Sequence, residues 1–284
     1  MSPVLVIHGG AGKDRPAQTR QRIAEQLRVI AEQSWTALSQ GASALDVVVA
    51  ATQRLESNPL FNAGTGSKLQ MDGGARLSAS LMDGKTERFS GVVNVENLGH
   101  PITLCVHLLD DEDRVLAGSG ALARARELGL PEADVRTPES IAAWQAGTAG
   151  KTGTVGAVAL DVHGHLAAAT STGGRGMERV GRVSDSCTVA GNFATPMAAV
   201  SCTGIGEDIV DGALAVRLAA AVEGGVPMKA AASALEQRMA AQDWAAGLIA
   251  LDHTGAWATP HTTKRLYWHT VADGTHHSFS ATGE

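Results

Sequence analysis

The step from Gly153 to Thr154 could create a catalytic group from the chain itself. Thr154 opens an apolar run, TVGAVALD, behind a loop rich in glycine and threonine. If the peptide bond before this threonine were cut, the freed α-amine would sit on the carbon next to the one bearing the hydroxyl and could act as its base. An α-amine has a pKa near ~8, against ~10.4 for lysine, so more of it is neutral at pH 7. Gly153 suits the junction, because glycine adopts conformations that strain other residues.

Taken alone, a Gly-Thr step is more often structural, because threonine favours strands and glycine often precedes them. Other patterns are weaker still. GTAGKT has Gln145 where a phosphate-binding loop needs its first glycine, and GSGALA lacks the third glycine of a dinucleotide-binding turn. His163 and His165 flank a turn glycine with no third ligand at metal-binding spacing. No serine occupies a GxSxG elbow.

Composition limits the kind of protein that can hold such a site. The chain has 284 residues, 44% of them hydrophobic, which suffices for one large domain or two modest ones. A net charge of -6 without charged blocks does not favour a nucleic-acid partner. No apolar run reaches the roughly 20 residues of a membrane span, and MSPVLVIHGGAG is unlike a signal peptide, so we expect no membrane partner and a cytoplasmic protein. The three cysteines lack CxxC spacing, which predicts buried thiols without a disulfide.

The predicted elements place Thr154 at the front of a hairpin within a mixed fold. Strands are predicted at VLVIHGG, at RLSASLMDGKTERFSGVVNV around an Asp83-Gly84 turn, and at TVGAVALD, LAAATST and MAAVSCT, with a second hairpin at GLIALDHTGAWATP. Helices are predicted at 17–39, 43–57 with Ser43 as N-cap, 102–109, 121–128, 138–145, 207–222 and 228–242. Blocks of strands and helices without strict βαβ alternation predict a layered α+β fold.

Several motifs occur together and in a fixed order. GTVGAVALDVHGHLAAATSTGG is preceded by NPLFNAGTG and followed by GRVSDS and SCTGIGED. With VIHGGAG near one end and GLIALD near the other, these motifs extend over most of the chain. In this combination the sequence resembles the plant-type L-asparaginase and isoaspartyl peptidase family, a group of N-terminal nucleophile (Ntn) hydrolases and threonine peptidases. Thr154 stands at the position of the family's nucleophile.

The resemblance implies a fold, a maturation step and an activity. The implied fold is a four-layer αββα sandwich of the Ntn-hydrolase type, with residues 1–284 forming a single domain. The implied precursor cuts itself between Gly153 and Thr154 into an α subunit, 1–153, and a β subunit, 154–284, and two αβ units form a homodimer. The implied reactions are hydrolysis of L-asparagine to aspartate and ammonia and hydrolysis of β-aspartyl dipeptides. The expected partners are therefore small-molecule substrates.

The resemblance also implies roles for residues in the quoted motifs. Thr154 is the expected nucleophile, and Thr172 is expected to hydrogen-bond to it and tune it. Thr203 and Gly204 are expected to stabilise the oxyanion, where a preorganised donor contributes about 3 kcal/mol. Asn62 is expected near the nucleophile.

The implied substrate fixes the charges that its pocket needs. A β-linked aspartyl group carries an α-carboxylate and an α-ammonium, so one cation and one anion should face it. Arg182 and Asp185 stand at the family's positions for these charges, and Gly204 and Gly206 are expected beside them. Arginine can hold a carboxylate through two parallel hydrogen bonds, and aspartate can pair with the ammonium.

No organic cofactor is expected, but the resemblance implies a structural sodium ion. In the family such an ion is often held by backbone carbonyls of one loop. The corresponding residues here are Leu55, Glu56, Asn58, Phe61, Ala63 and Thr65.

Departures from the family pattern leave the preferred substrate open. They are Ser184 in GRVSDS, Ser78, Thr152 before Gly153, and PHTTKRLYWH near the C-terminus. A glycosylasparaginase-like amidase is the nearest alternative, and an endopeptidase cutting after aspartate is disfavoured by the short segment before the threonine. A noncatalytic binding protein of the same fold that stays uncleaved, and a nucleotide enzyme with a Rossmann-like fold, are the alternatives from other classes.

Overall fold

In the computed structural model, which describes residues 1–148 and 153–281, the strands form two sheets. The strands are β1 (Val4–Gly12), β2 (Leu77–Asp83), β3 (Arg88–Val95), β4 (Val115–Ala117), β5 (Val155–Leu160), β6 (Leu166–Thr172), β7 (Asn192–Ala194), β8 (Ala198–Gly204), β9 (Ala246–Asp252), β10 (Trp257–Ala258), β11 (Arg265–Ala272) and β12 (Thr275–Ser278). The larger sheet has eight strands in the order β12-β11-β1-β5-β6-β2-β3-β4, and the smaller has four in the order β10-β9-β8-β7. Neighbouring strands are antiparallel, except that β3 and β4 are parallel.

The helices lie in two groups along the chain. They are α1 (Ala17–Ser39), α2 (Ala44–Glu56), α3 (Pro101–Leu108), α4 (Gly118–Glu127), α5 (Pro138–Gln145), α6 (Gly206–Gly212), α7 (Leu214–Glu223) and α8 (Met228–Ala241). The group from α1 to α4 packs with the larger sheet, whereas α6, α7 and α8 pack with the smaller one. The architecture is therefore mixed, as the order of predicted elements indicates.

Alternation along the strands divides the apolar residues among three clusters. Leu5 and Ile7 of β1 belong to the cluster shared with α1 to α4, whereas Val4 and Val6 belong to a cluster between the two sheets. This split follows from the two-residue period of a strand, which directs successive side chains to opposite faces. A third cluster joins the smaller sheet to α6, α7 and α8. Because both faces of the central strands are covered, most of their side chains are apolar or small, and His8 of β1 is a buried polar exception.

Much of the predicted secondary structure is confirmed. Helices α1 and α5 have the predicted bounds, and β5 and β6 form the predicted hairpin. Ser43 caps α2, since its Oγ accepts a hydrogen bond from the backbone N–H of Asp46 at 3.1 Å. The three cysteines are buried and free. In the part of the chain that the structure describes, no helix has the length and hydrophobicity to cross a bilayer.

The single helix predicted at 207–222 is wrong. The chain breaks at Ala213, whose φ of 46° lies in the left-handed region, and so α6 and α7 are separate helices. The break allows Ile209 of α6 and Leu218 of α7 to reach the same apolar cluster. Strands β4, β7, β11 and β12 were not among the predicted elements. β11 forms where its antiparallel partner β1 offers an unpaired edge.

A chain of hydrogen-bonded polar side chains, all of them buried, crosses between the two sheets. His8 Nε2 of β1 lies 2.9 Å from Ser201 Oγ of β8, which lies 2.7 Å from Thr170 Oγ1 of β6. Burial lowers the pKa of His8 to about 3, so the imidazole is neutral at physiological pH. Gly156 leaves room for this chain, because a Cβ added there would overlap Ser201 Oγ and lie 2.6 Å from His8 Nε2. A side chain at this position would therefore push the sheets apart.

We predict that Gly156→Ala lowers the free energy of unfolding by about 1–3 kcal/mol, the usual cost of overpacking a closed interior. Gly120→Ala is the matched control, because a Cβ added at Gly120 in α4 meets nothing within 4 Å. The control should raise stability by about 0.5–1 kcal/mol through the gain in helix propensity. Urea denaturation of both variants measures the difference. Equal stabilities would contradict the close approach of the sheets at Gly156.

Candidate active site

Thr154 is buried just before β5 and forms a direct hydrogen bond with Thr172 at the end of β6. Its Oγ1 donates a hydrogen bond to Thr172 Oγ1 at 3.1 Å, and the backbone N–H of Gly174 donates to the same Thr172 oxygen at 3.1 Å. The pairing register of the hairpin, with Val155 opposite Ser171, places the two threonines side by side. The arrangement presents Thr154 Oγ1 to whatever lies in front of the sheet.

Gly153 and Asn62 lie against each other beside Thr154, the expected nucleophile. Gly153 has a φ of 152°, and a Cβ there would lie 2.6 Å from Asn62 Cβ. A side chain is thus excluded at the residue before Thr154 both by backbone conformation and by space. The Asn62 amide is itself fixed, since Nδ2 donates to the Gly174 carbonyl at 2.6 Å and Oδ1 accepts from the Lys68 backbone at 2.9 Å.

Thr203 reaches the same place from the other sheet. It lies near the end of β8 and is fully buried, and its Oγ1 accepts a hydrogen bond from the backbone N–H of Ala11 in β1 at 3.1 Å. Among the described residues this hydroxyl has no acceptor, so its own proton is free to stabilise a developing negative charge. Gly204 follows with a φ of 144°.

A small cavity brings most of the predicted site residues together. Its volume is about 10 Å³, which is roughly the space that one water molecule needs. The lining residues are Gly153, Thr154, Thr172, Gly174, Arg175, Arg182, Ser184, Asp185, Gly204 and Gly206. Thr203 and Asn62 border this group through their neighbours Gly204 and Gly153. The predicted sodium loop does not line the cavity.

Arg182 is bound side-on by a residue to which the sequence analysis assigned no role. Its Nε and Nη2 atoms donate to the two carboxylate oxygens of Glu207, each at 2.8 Å. These hydrogen bonds from Arg182 hold the pKa of Glu207 down at about 2. The edge of the guanidinium formed by Nε and Nη2 is therefore occupied by Glu207. The edge formed by Nη1 and Nη2 remains for a second carboxylate. Glu207 follows Gly206 in the quoted SCTGIGED motif, which is the signal that could have identified it.

Asp185 faces the cavity from a short 3-10 turn, Asp185–Cys187. It is almost fully buried, and burial raises the pKa of its carboxyl to about 6, although the Arg182 cation opposes this shift. Its Oδ2 atom has no hydrogen-bond partner among the described residues. A Cβ added at Gly206 would lie 2.8 Å from Asp185 Oδ1 and 2.9 Å from Arg182 Nη2. Gly206 thus keeps the space between the two charges clear.

The segment predicted to hold sodium begins in the last turn of α2 and continues into the loop after it, where main-chain oxygens are present. The Glu56 carbonyl accepts from the Thr65 backbone at 2.8 Å, and the Asn58 carbonyl accepts from the Phe61 backbone at 3.0 Å. Each carbonyl oxygen has a second lone pair, so these hydrogen bonds do not prevent it from binding a cation as well. No group of three or more His, Cys, Asp or Glu side chains within residues 1–148 and 153–281 is arranged to hold a metal. The sodium site stays a prediction.

The Glu56 side chain has a second connection that the sequence did not reveal. Its fully buried carboxylate accepts from Ser171 Oγ at 2.6 Å and lies 3.3 Å from His100 Nδ1. Burial raises the pKa of Glu56, although the hydrogen bonds from His100 and Ser171 oppose the shift. The end of α2 is thereby tied to β6 one residue before Thr172. An acidic residue on the apolar face of a predicted helix is the signal for such a role.

Comparison with known proteins identifies relatives that match most of the chain. A family model described as Asparaginase (Asparaginase_2) matches residues 1–151 and 143–280. A protein named isoaspartyl peptidase/L-asparaginase from Synechocystis sp. is 40% identical over 291 residues, covering 95% of this chain and 88% of the relative. An isoaspartyl peptidase from Escherichia coli is 38% identical, covering 93% and 91%, and a plant-type L-asparaginase from Pyrococcus abyssi is 34% identical, covering 95% and 96%.

These matches extend over nearly the whole chain at identities well above chance, and they agree with the family resemblance found in the sequence motifs. The protein belongs to the asparaginase family.

Proposed function

We propose that the protein is a self-cleaving amidohydrolase that acts on L-asparagine and on β-aspartyl dipeptides, with Thr154 as its N-terminal nucleophile. One observation carries this proposal. Thr154 and Thr172 are hydrogen-bonded to each other, and both line the same cavity as Arg182 and Asp185. The names of the relatives, isoaspartyl peptidase and L-asparaginase, support the choice of substrates.

The first step is cleavage of the chain's own bond. Thr154 Oγ1 attacks the Gly153 carbonyl carbon, its proton passes to the Thr154 nitrogen, and the C–N bond breaks, leaving an ester and a free α-amine. Water then hydrolyses the ester, so that residues 1–153 and 154–284 become the α and β subunits. The backbone conformation of Gly153 and the absence of a Cβ there support this step, because the scissile carbonyl can be approached closely.

Cleavage also makes room for the substrate. The cavity of about 10 Å³ is too small for an amino acid, and Gly153 forms part of its wall. Once the bond to Thr154 is cut, that wall is free to move away, and the α-amine takes the place of a peptide nitrogen. The same event would therefore open the site and supply its base.

The second reaction uses the same atoms on a bound substrate. The Thr154 α-amine takes the hydroxyl proton while Oγ1 attacks the side-chain amide carbon. The Thr203 hydroxyl and the Gly204 N–H stabilise the oxyanion. The amide C–N bond breaks, the nitrogen takes the proton and leaves as ammonia or an amino acid, and water hydrolyses the acyl-enzyme to aspartate.

Arg182 and Asp185 orient the aspartyl half of the substrate. The free edge of the guanidinium would bind the α-carboxylate, while Glu207 holds its other edge, and Asp185 would bind the α-ammonium.

Three apolar clusters that alternate with the two sheets support a four-layer αββα sandwich of the Ntn-hydrolase type within a single domain. The proposal also includes a homodimer of αβ units and a sodium ion in the loop after α2.

We predict that the purified protein, after incubation, gives two masses that correspond to residues 1–153 and 154–284. Thr154→Ala should remain one chain of 29.2 kDa and release no ammonia from asparagine, because it has no nucleophile. Thr36→Ala, which removes an exposed hydroxyl on α1, should split like the unaltered protein. Mass spectrometry under denaturing conditions makes the measurement. An unbroken chain with ligand binding but no turnover would instead support a noncatalytic binding protein.

We also predict a change in pH dependence near pH 6. Since the pKa of Asp185 is raised to about 6, this carboxylate loses its charge as the pH falls through that value, and the substrate ammonium loses its partner. The slope of log kcat/KM for asparagine against pH should therefore become about one unit steeper below pH 6, beyond the shallower fall caused by protonation of an α-amine with pKa ~8.

Asp185→Asn should abolish the steeper segment and lower kcat/KM at least about thirtyfold, because losing one partner of a buried charge pair costs roughly 2–5 kcal/mol. Initial rates between pH 4.5 and pH 9 on both proteins provide the test. A slope in the unaltered protein that does not change near pH 6 would count against Asp185 as the ammonium ligand.

A further inference from the structure

Glu178 is a buried acidic residue in the loop that follows β6. Only 2% of its surface is exposed, and it is not among the residues that line the cavity of Thr154. Its Oε2 atom has no hydrogen-bond partner among the described residues. Burying a carboxylate is costly unless neighbouring groups compensate for the water it loses. The groups that surround Glu178 therefore indicate what its carboxylate does.

The carboxylate of Glu178 lies against the α-carbon of Gly174. A Cβ added at Gly174 would overlap Glu178 Oε1 and lie 3.0 Å from Cδ, so the carboxylate occupies the space that a side chain would need. Glycine carries a hydrogen where other residues carry Cβ, and this hydrogen points at Oε1, as in the weak Cα–H···O hydrogen bonds of proteins. Glu178 therefore restricts where the backbone of Gly174 can lie.

Gly174 is hydrogen-bonded to two residues of the candidate active site. Its N–H donates to Thr172 Oγ1 at 3.1 Å, and the same oxygen accepts the hydrogen bond from Thr154. Its carbonyl accepts from Asn62 Nδ2 at 2.6 Å. A shift of the Gly174 backbone would therefore disturb both Thr172 and Asn62. In this way a single glycine connects the carboxylate of Glu178 to the surroundings of the expected nucleophile.

The loop from Gly174 to Glu178 has a backbone that needs such a restraint. Gly174, Gly176 and Met177 have φ values of 76°, 81° and 57°. A residue other than glycine is strained in this region and keeps the conformation only where its surroundings determine it. The far end of the loop is fixed, since the Met71 N–H donates to the Glu178 carbonyl at 3.0 Å. From this fixed end the side chain of Glu178 reaches back to Gly174.

Two cations interact with the carboxylate of Glu178. Burial and the nearby Arg15 lower the pKa of Lys68 to about 8, and Glu178 opposes this shift. Burial acts against the charge of Arg182, but Glu207 and, more weakly, Glu178 raise its pKa above the ordinary value. These interactions compensate for the burial of the Glu178 charge. The orientation of Arg182 does not depend on them alone, because Glu207 binds its guanidinium directly.

We propose that Glu178 is a positioning residue of the hydrolase. Its carboxylate oxygen holds Gly174 in place, and Gly174 in turn fixes Thr172 and Asn62 beside the nucleophile. The contact is made by the end of the side chain, so the reach of the side chain matters more than its charge. This inference rests on the proposed function, in which Thr154 is the nucleophile.

Two conservative variants separate the reach of the side chain from its charge. Glu178→Asp keeps the charge but is one methylene shorter, which withdraws the oxygen from Gly174, whereas Glu178→Gln keeps the length and an oxygen without the charge. We expect Glu178→Asp to lower kcat for L-asparagine at least about tenfold, since small misplacements at an active site have effects of this size. KM should change less than about threefold, because Arg182 keeps its bonds to Glu207. Glu178→Gln should retain kcat within about threefold.

Glu223→Asp is the matched control, because Glu223 is exposed at the end of α7. It should keep the kcat and KM of the unaltered protein. If Glu178→Asp does not fold, Glu178→Asn replaces it, and its comparison with Glu178→Gln varies the reach between two uncharged side chains. A normal kcat in the shorter variant, or an equal loss of kcat in Glu178→Gln, would overturn the positioning role.

Failure of the proposed function is recognised separately, as absence of asparagine turnover in the unaltered protein. The positioning role is then judged by hydrogen exchange of the Gly174 amide, which donates to Thr172 whether or not the protein is active. By NMR, this amide should exchange at least about tenfold faster in Glu178→Asp than in the unaltered protein or in Glu178→Gln. The amide of Val158 within β5 is the internal reference and should be unaffected. Equal exchange at Gly174 in all three proteins would contradict the proposal.

Discussion

The close contact between the two sheets is the constraint on which the site depends. Thr154 and Thr172 belong to the larger sheet, whereas Thr203 belongs to the smaller one, and a single hydrogen bond from Ala11 to Thr203 joins the sheets at this point. Small residues make the contact close, above all Gly156 beneath the bond between His8 and Ser201. A nucleophile and an oxyanion donor can face one space only if the separation of the sheets is fixed to a fraction of an ångström.

The charged side chains at the site also hold one another in place. Asp185 is buried, and its carboxylate is maintained by the neighbouring Arg182, whose guanidinium is in turn oriented by Glu207. An arginine whose guanidinium is already held along one edge by a carboxylate loses little further rotamer freedom when a second carboxylate binds its other edge. Gly206 completes the arrangement by having no side chain to fill the space between the opposite charges.

Local sequence features predicted the elements well where short-range physics decides them. Apolar periodicity and the Ser43 cap predict α1 and α2, and the alternation in TVGAVALD and LAAATST predicts the hairpin that brings Thr154 beside Thr172. The break at Ala213 and the existence of β11 were missed, because both depend on partners distant in sequence. Glu207 lies within a quoted motif, but its pairing with Arg182, 25 residues earlier in the chain, becomes visible only in the folded structure. The roles of these residues in catalysis remain predictions.

The order of strands in the larger sheet has a consequence for the matured protein. β1 comes from the part of the chain before Thr154, yet its two neighbours, β5 and β11, both come from the part after it. A cut at Thr154 would thus leave two polypeptides interleaved through one sheet, with neither able to complete its hydrogen-bond ladder alone. The uncut chain folds as a unimolecular process, whereas the cut chains, once denatured, could return only by a bimolecular encounter. The lifetime of the folded, cut protein would then be set by its rate of unfolding and by protein concentration. After maturation the protein would therefore depend on kinetic stability, whereas the precursor can refold reversibly.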